Sequence, residues 1–313
     1  MTQTFLLADM GGTNIRFAVF DGKKISHYQS YKCQNFGSVF DALSEYKNQI
    51  SNVPETFIFA IPGVVKAGQL SFVNINWTFS KEELENHFHF KNVVLLNDFE
   101  AVAFGLNDLS DEDIILIKDG EKEDFKPSVV MGAGTGLGVG VLLPQKDGSY
   151  TTLPSEAGHI AVSVMNETEE KIHAFIRQKC GRVSSGHLLS GAGIRNIYMA
   201  LGGQSLSSEE IVSLAIQNKD EIARQAVLQM LTFWGDIAGD LALAFLAKGG
   251  IYLTGNIIQT EGMLDLLKAS EFSSRFLTKG RHYQNLNSIP IYLIKRSDLA
   301  FAGLKQVALG KNN

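Results

Sequence analysis

Apolar residues along the chain fall into short blocks that read as strands, broken by glycine turns and separated by helical stretches. "TFLLADMGGTNIRFAVFDGKKI" (residues 4–25) is two apolar strands around a Gly-Gly-Thr turn. "TFIFAIPGVV" is a strand ended by Pro62-Gly63, and "KNVVLLNDFEAVAFGL" is a buried strand that breaks at Asn97-Asp98 and runs into a helix. "KPSVVMGAGTGLGVGVLLPQ" is again two strands around a glycine turn. "ARQAVLQMLTFWGDIAGDLALAFLAKGG" predicts a long helix, roughly Glu221 to Lys248, closed by Gly249-Gly250 as helix stops. "GIYLTGNI" is a strand, and "IPIYLIKRSDLAFAGLKQVAL" is a strand, an N-cap at Asp298 and a terminal helix. Strands mixed with helices make this an α/β protein.

One stretch is unusual. Glycine occupies every second position from Gly132 to Gly140. Alternate residues of a strand share a face, so if the stretch is extended one face of it carries no side chains. Glycine inside a strand marks a bulge or a close approach by a ligand or another backbone. Sliding the chain by 122 residues lays Gly12-Thr13 on Gly134-Thr135 and the flanking apolar positions on one another. Either buried hairpins simply look alike, or an α/β domain is duplicated with its glycine turns facing a cleft. Backbone N–H groups free of side chains make an anion-binding concavity. Neither G-x-x-x-x-G-K-[ST] nor G-x-G-x-x-G occurs, which excludes the P-loop and the Rossmann fingerprint.

The length of 313 residues suggests about two domains. With 19% charged residues and a net charge of −5, nothing marks a nucleic-acid binder. No apolar run is long enough to span a membrane, and no signal peptide precedes the first strand. Cys33 and Cys180 are far apart and form no disulfide framework or zinc motif. These features predict a cytoplasmic enzyme with no membrane or nucleic-acid partner.

Asp98 follows four apolar strand residues and so sits at a strand's carboxyl end, where α/β sheets place ligands. It reads either as a general base or as the N-cap of the helix that follows. Asn97 offers both a donor and an acceptor. Asp9, before the first glycine turn, is a metal-organising carboxylate or a turn cap. Glu156 and His159 in "SEAGH" are an E-x-x-H pair without a third metal ligand in view. Gly249, Gly250 and Gly255 in "GGIYLTGN" read as a helix stop and a strand end, or as a nucleotide contact.

Seven segments in order carry a resemblance: "LADMGGTNIRFAVF", "NINWTFS", "LLNDFEAVAFG", "GAGTGLGVG", "LPSEAGHIAV", "LLSGAGI" and "GGIYLTGNI". Together they resemble the bacterial glucokinase family, within the actin-like ATPase fold, over roughly Leu6 to Leu309. The related repressor–kinase–ORF sugar kinases fit less well, because their cysteine-rich zinc motif is missing. The resemblance implies two actin-like (ribonuclease H-like) α/β domains with a cleft between them. These are a small one at 1–109 joined by the C-terminal helix 298–313, and a large one at 110–297. It implies ATP-dependent phosphorylation of glucose or a related hexose, and a homodimer.

The resemblance also assigns residues. Gly11, Gly12, Thr13, Asn14, Gly134, Thr135 and Gly136 would cradle the ATP phosphates, with Gly249, Gly250 and Gly255 near the adenosine. Asp9 would organise Mg²⁺ through water, and Asp98 would be the base. A carboxylate is too weak a base to pre-ionise a sugar hydroxyl, so it would orient that hydroxyl and take the proton late. Asn74, Asn97, Asp98, Glu156 and His159 would bind the sugar. Trp77 lies in the same family segment as Asn74 and also reads as core packing. The chain departs from the family in two places. Gly186 in "RVSSGHLLSG" stands where the family carries a glutamate that contacts the sugar near its anomeric end. Either water or His187 beside it replaces that acceptor and glucose still binds, or the site is weaker or takes another hexose or an amino sugar. Asn256 to Gln259 replace a glycine- and proline-containing stretch on the nucleotide side.

Overall fold

A computed structural model describes residues 3–63, 69–71 and 77–310. The chain divides into two compact units: residues 1–109, 144–154 and 298–313, and residues 110–143 and 155–297. The stretch 144–154, inside the range expected for the larger domain, groups with the first unit.

The first unit begins with strands β1 (Phe5–Met10), β2 (Asn14–Phe20) and β3 (Ile25–Lys32). Helix α1 (Val39–Lys47) and strand β4 (Thr56–Ile61) follow. Then come the short antiparallel pair β5 (Gln69–Ser71) and β6 (Thr78–Ser80), helix α2 (Lys81–Phe88), strand β7 (Asn92–Asn97) and helix α3 (Asp98–Gly105). Five strands form one sheet in the order β3-β2-β1-β4-β7. The hairpin β1-β2 is antiparallel, and β1, β4 and β7 run parallel. Alternation along β1 and β2 sends Leu6, Ala8, Met10, Ile15 and Phe17 into a core with Leu43 and Tyr46 of α1 and Leu84 of α2. Trp77 is buried in that core, which is where packing alone would put it.

The second unit contains strands β8 (Ile114–Lys118), β9 (Ser128–Ala133) and β10 (Leu137–Pro144). Strand β11 (Tyr150–Ser155) lies mostly in the segment grouped with the first unit. Helices α4 (Glu167–Cys180), α5 (Gly191–Ala200), α6 (Ser208–Ile216) and α7 (Glu221–Phe245) come next. Strand β12 (Ile251–Thr254), helices α8 (Met263–Ala269), α9 (Phe272–Leu277) and α10 (Tyr283–Asn287), and strand β13 (Ile291–Ile294) complete it. Its sheet repeats the first pattern. The hairpin β9-β10 is antiparallel, β12 runs parallel beside β9, and β13 runs parallel beside β12. Helix α7 carries the centre of the core with Met230, Phe233, Trp234 and Ile237. It ends at Phe245, three residues before the expected Lys248, because Leu246 turns left-handed at φ 47°. Buried charges on α4, α7 and α9 are paired, as burial requires: Arg275 donates to Glu169 at 2.7 Å and Lys279 to Asp236 at 2.8 Å.

The last helix, α11 (Leu299–Ala308), packs on α3, β1 and β4 of the first unit. The fit is close: a Cβ on Gly303 would stand 1.7 Å from the Ala101 carbonyl oxygen. Asp298 occupies the N-cap position of α11, as expected from sequence.

Candidate active site

In the first unit the candidate residues gather at the carboxyl ends of the parallel strands. Asp9 is near the end of β1 and Asp98 follows β7, with β4 between them. The two strand ends are thus about 10 Å apart, two interstrand spacings. The turn after β1 is tight, with Gly11 N–H donating to Asn14 O at 2.9 Å and Thr13 O accepting from Cys33 N–H at 2.9 Å. Gly12 and Thr13 are exposed. The Asp9 carboxylate is nearly buried and accepts from Arg16 Nη1 at 2.9 Å. Burial pushes its pKa up, and the Arg16 guanidinium opposes that rise. Arg16 was not singled out from sequence. Nothing local pairs positions 9 and 16; the hairpin register does.

Asn97, not Asp98, is the N-cap of α3. Its Oδ1 accepts from Phe99 N–H at 2.9 Å, and Glu100 returns a bond to Asn97 N–H at 3.0 Å, which completes a capping box. Asp98 is the first helical residue, and its Oδ1 accepts from Phe99 N–H at 2.9 Å. Asn97 therefore holds the N-cap position, and Asp98 shares the same Phe99 N–H. Asn97 Nδ2 reaches Gly63 O at 3.5 Å, and Glu100 accepts from Thr152 Oγ1 at 3.0 Å. Asn74 lies outside the described residues.

In the second unit the Gly134–Gly136 turn closes with Gly134 N–H donating to Gly136 O at 2.8 Å. A Cβ added at Gly134 or Gly136 would meet nothing within 4 Å, and neither residue has positive φ. The fold itself does not need glycine there. Thr135 is exposed at the tip. Gly191 N–H, at the start of α5, donates to Gly134 O at 3.0 Å, which sets that helix N-terminus behind the turn.

The three later glycines separate. Gly255 follows β12, at the same end of the sheet as Gly134, and has φ 103°. Gly249 and Gly250 precede β12 and so lie at its other end, about 13 Å away at ~3.3 Å per residue. Gly249 is packed against Pro127 and Ser128, so backbone contact explains that glycine. The structure does not bring Gly249 and Gly250 together with the turn.

A pocket of about 360 Å³ opens near that turn, lined by Ser208, Val212 and Ile216 of α6 and by Asn256, Ile257 and Thr260. Ser208 Oγ is also the nearest atom to a Cβ built on Gly191. The α6 residues carry no mark in the sequence, because an ordinary amphipathic helix does not reveal which of its positions line a pocket.

Glu156 and His159 flank a short 3-10 turn, both exposed, with Nε2 and Oε2 3.6 Å apart. They present an acceptor and a donor side by side. Gly186 lies against this turn, since a Cβ there would stand 3.0 Å from Gly158 O. His187 does not replace the missing acceptor. Its Nδ1 accepts from Ser184 N–H at 3.1 Å, which leaves Nε2 as the N–H donor.

The family described as Glucokinase matches residues 6–311. The glucokinase of Campylobacter jejuni subsp. doylei is 34% identical, over 98% of this chain and 94% of its own. That of Colwellia psychrerythraea is 35% identical, over 95% and 94%. The crystal structure of a glucokinase from an Antarctic psychrotroph superposes with a TM-score of 0.85 at 29% identity, covering 99% of this chain and all of that one. A Balamuthia mandrillaris glucokinase solved with glucose shares the fold, at a TM-score of 0.84, 20% identity, and coverage of 98% and 94%. With two α/β units, each built on a hairpin with a glycine turn, and a match along nearly its whole length, this chain belongs to the glucokinase family.

Proposed function

We propose that the chain transfers the γ-phosphoryl group of ATP to glucose, giving ADP and glucose 6-phosphate by direct in-line displacement. The observation that carries the mechanism is Asp98. It sits directly after β7, at a strand's carboxyl end, as the first residue of α3. Its carboxylate orients the attacking hydroxyl and accepts the proton as the bond to phosphorus forms, an effect of ~10²–10⁴-fold. Asn97, Glu156 and His159 bind sugar hydroxyls, the carboxylate accepting and the imidazole donating, and Asn74 is assigned with them on the family resemblance.

Phosphoryl transfer asks mainly for positioning and charge neutralisation. The Gly11–Asn14 and Gly134–Gly136 turns donate backbone N–H groups to phosphate oxygens. The adenosine goes into the pocket beside α6, whose lining residue Asn256 follows Gly255. The donor set fits Mg²⁺, which takes one or two carboxylates plus substrate phosphates and keeps waters. Asp9 offers one such carboxylate, and no cluster of three metal-ligating side chains occurs among the described residues. Bound Mg²⁺ would offset phosphate charge; Asp9 would hold its water shell. A homodimer acting in the cytoplasm at the entry to glycolysis follows from the family resemblance.

The departure at Gly186 favours a second reading within the same class, a kinase for another hexose or an amino sugar. A coupled assay for ADP release across glucose, mannose, glucosamine and N-acetylglucosamine separates the two. Glucose turned over best supports the first reading, and another sugar turned over better supports the second. Sugar binding without ADP release from any of them would make this a non-catalytic member of the fold.

A further inference from the structure

Asp9 and Arg16 are register partners across the first hairpin, and Arg16 Nη1 donates to Asp9 Oδ2 at 2.9 Å. The Asp9 side chain is 10% exposed and that of Arg16 is 37% exposed. The carboxylate is therefore held on a rigid strand by a partner that itself reaches solvent next to the Gly11–Asn14 turn. A buried carboxylate is costly without a partner. A carboxylate that serves a metal works through its orientation, and the hydrogen-bonded neighbour sets that orientation.

We propose that Arg16 is a positioning residue for the nucleotide's Mg²⁺, acting through the Asp9 carboxylate. The proposal rests on the reading that the first glycine turn receives ATP phosphates and that Asp9 serves the accompanying metal. If Arg16 were only a surface ion pair, its loss would have little specific effect on nucleotide binding.

The experiment is titration calorimetry of ADP with and without Mg²⁺, on wild type, Arg16→Met and Arg16→Lys, each checked by thermal melting. Wild type is expected to bind ADP more tightly when Mg²⁺ is present. Arg16→Met should keep its metal-free ADP affinity within about threefold, because that affinity comes from backbone donors. It should lose about tenfold or more of the gain from Mg²⁺. Arg16→Lys, which keeps the charge, should retain most of the gain. If Arg16→Met fails to fold, Arg16→Gln takes its place with the same expectation. A parallel loss of metal-free and Mg²⁺-dependent affinity would overturn the proposal, as would an unchanged gain. Wild type that binds no ADP at all would instead overturn the nucleotide reading of the turn. Arg16 alone is at fault if wild type shows the gain and the variants show it equally.

Discussion

Gly158 lies against Leu137: a Cβ on Gly158 would stand 2.0 Å from the Leu137 carbonyl oxygen. Leu137 opens β10 directly after the Gly134–Gly136 turn, and Gly158 sits between Glu156 and His159. The Gly186 segment packs against both, a Cβ there standing 3.0 Å from Gly158 O and 3.9 Å from Leu137 N by the same measure, and Ser185 N–H donates to Ile160 O at 2.9 Å. Three glycine-bearing segments thus share backbone contacts, and the glycines in them serve opposite ends.

That contrast gives a first prediction. Gly134→Ala and Gly136→Ala should leave the melting temperature unchanged or slightly raised, since the Cβ enters open space and the unfolded chain loses entropy. The same changes should raise the Michaelis constant for ATP. Gly158→Ala should lower the melting temperature sharply, because the Leu137 backbone must move. Thermal melts beside ATP titrations decide it; equal melting losses at all three positions would count against this account.

Asp98→Asn should lower turnover by ~10²–10⁴-fold while sugar still binds, because the amide keeps hydrogen-bonding but cannot take a proton. Folding should survive, since Asn97 holds the α3 cap. Turnover within a few-fold of wild type, with sugar binding by calorimetry as the control, would remove Asp98 from the mechanism.

Gly186→Glu should tighten glucose binding by about tenfold or more, because a hydrogen bond to a charged group contributes roughly 1.5–3 kcal/mol. It should also lower thermal stability, because its Cβ presses on Gly158 O. Wild type should discriminate weakly among glucose, mannose and N-acetylglucosamine, since His187 offers a donor and no acceptor there. Glucose binding left unchanged or weakened by the substitution would mean that the pocket has been rebuilt around glycine.

Asp220 caps the long helix α7, accepting from Ala223 N–H at 2.9 Å and Tyr198 Oη–H at 2.8 Å. The Ala223 N–H bond and then the Tyr198 bond hold its carboxyl below the usual range. A depressed folded-state pKa stabilises the protein above the unfolded value of ~3.9 and loses that contribution as pH falls toward the folded one. Asp220→Ala should therefore melt lower than wild type at pH 7. The difference should shrink in melts recorded below about pH 4. A difference independent of pH would assign the loss to packing and not to the ionised cap.

The α/β class, both glycine hairpins and the long α7 were legible in the sequence because their causes are local. Alternation and apolar runs set strands and helices within a few residues of chain, and glycine pairs mark the turns between them. The bare strand face expected of the alternating glycines does not form, because β9 ends at Ala133 and β10 starts at Leu137, which leaves Gly134 and Gly136 in the turn between them. The cap of α3 needed geometry, because Asn97 and Asp98 are both good capping residues and only the backbone at the end of β7 selects one. Gly249 and Gly255 look alike in "GGIYLTGN", yet a strand separates them, and its length alone sends them to opposite ends of the sheet. The Asp9–Arg16 pair, the Leu137–Gly158 contact and the pocket beside α6 depend on strand register and on packing between distant segments. No local pattern encodes those distances, so only the tertiary structure decided them.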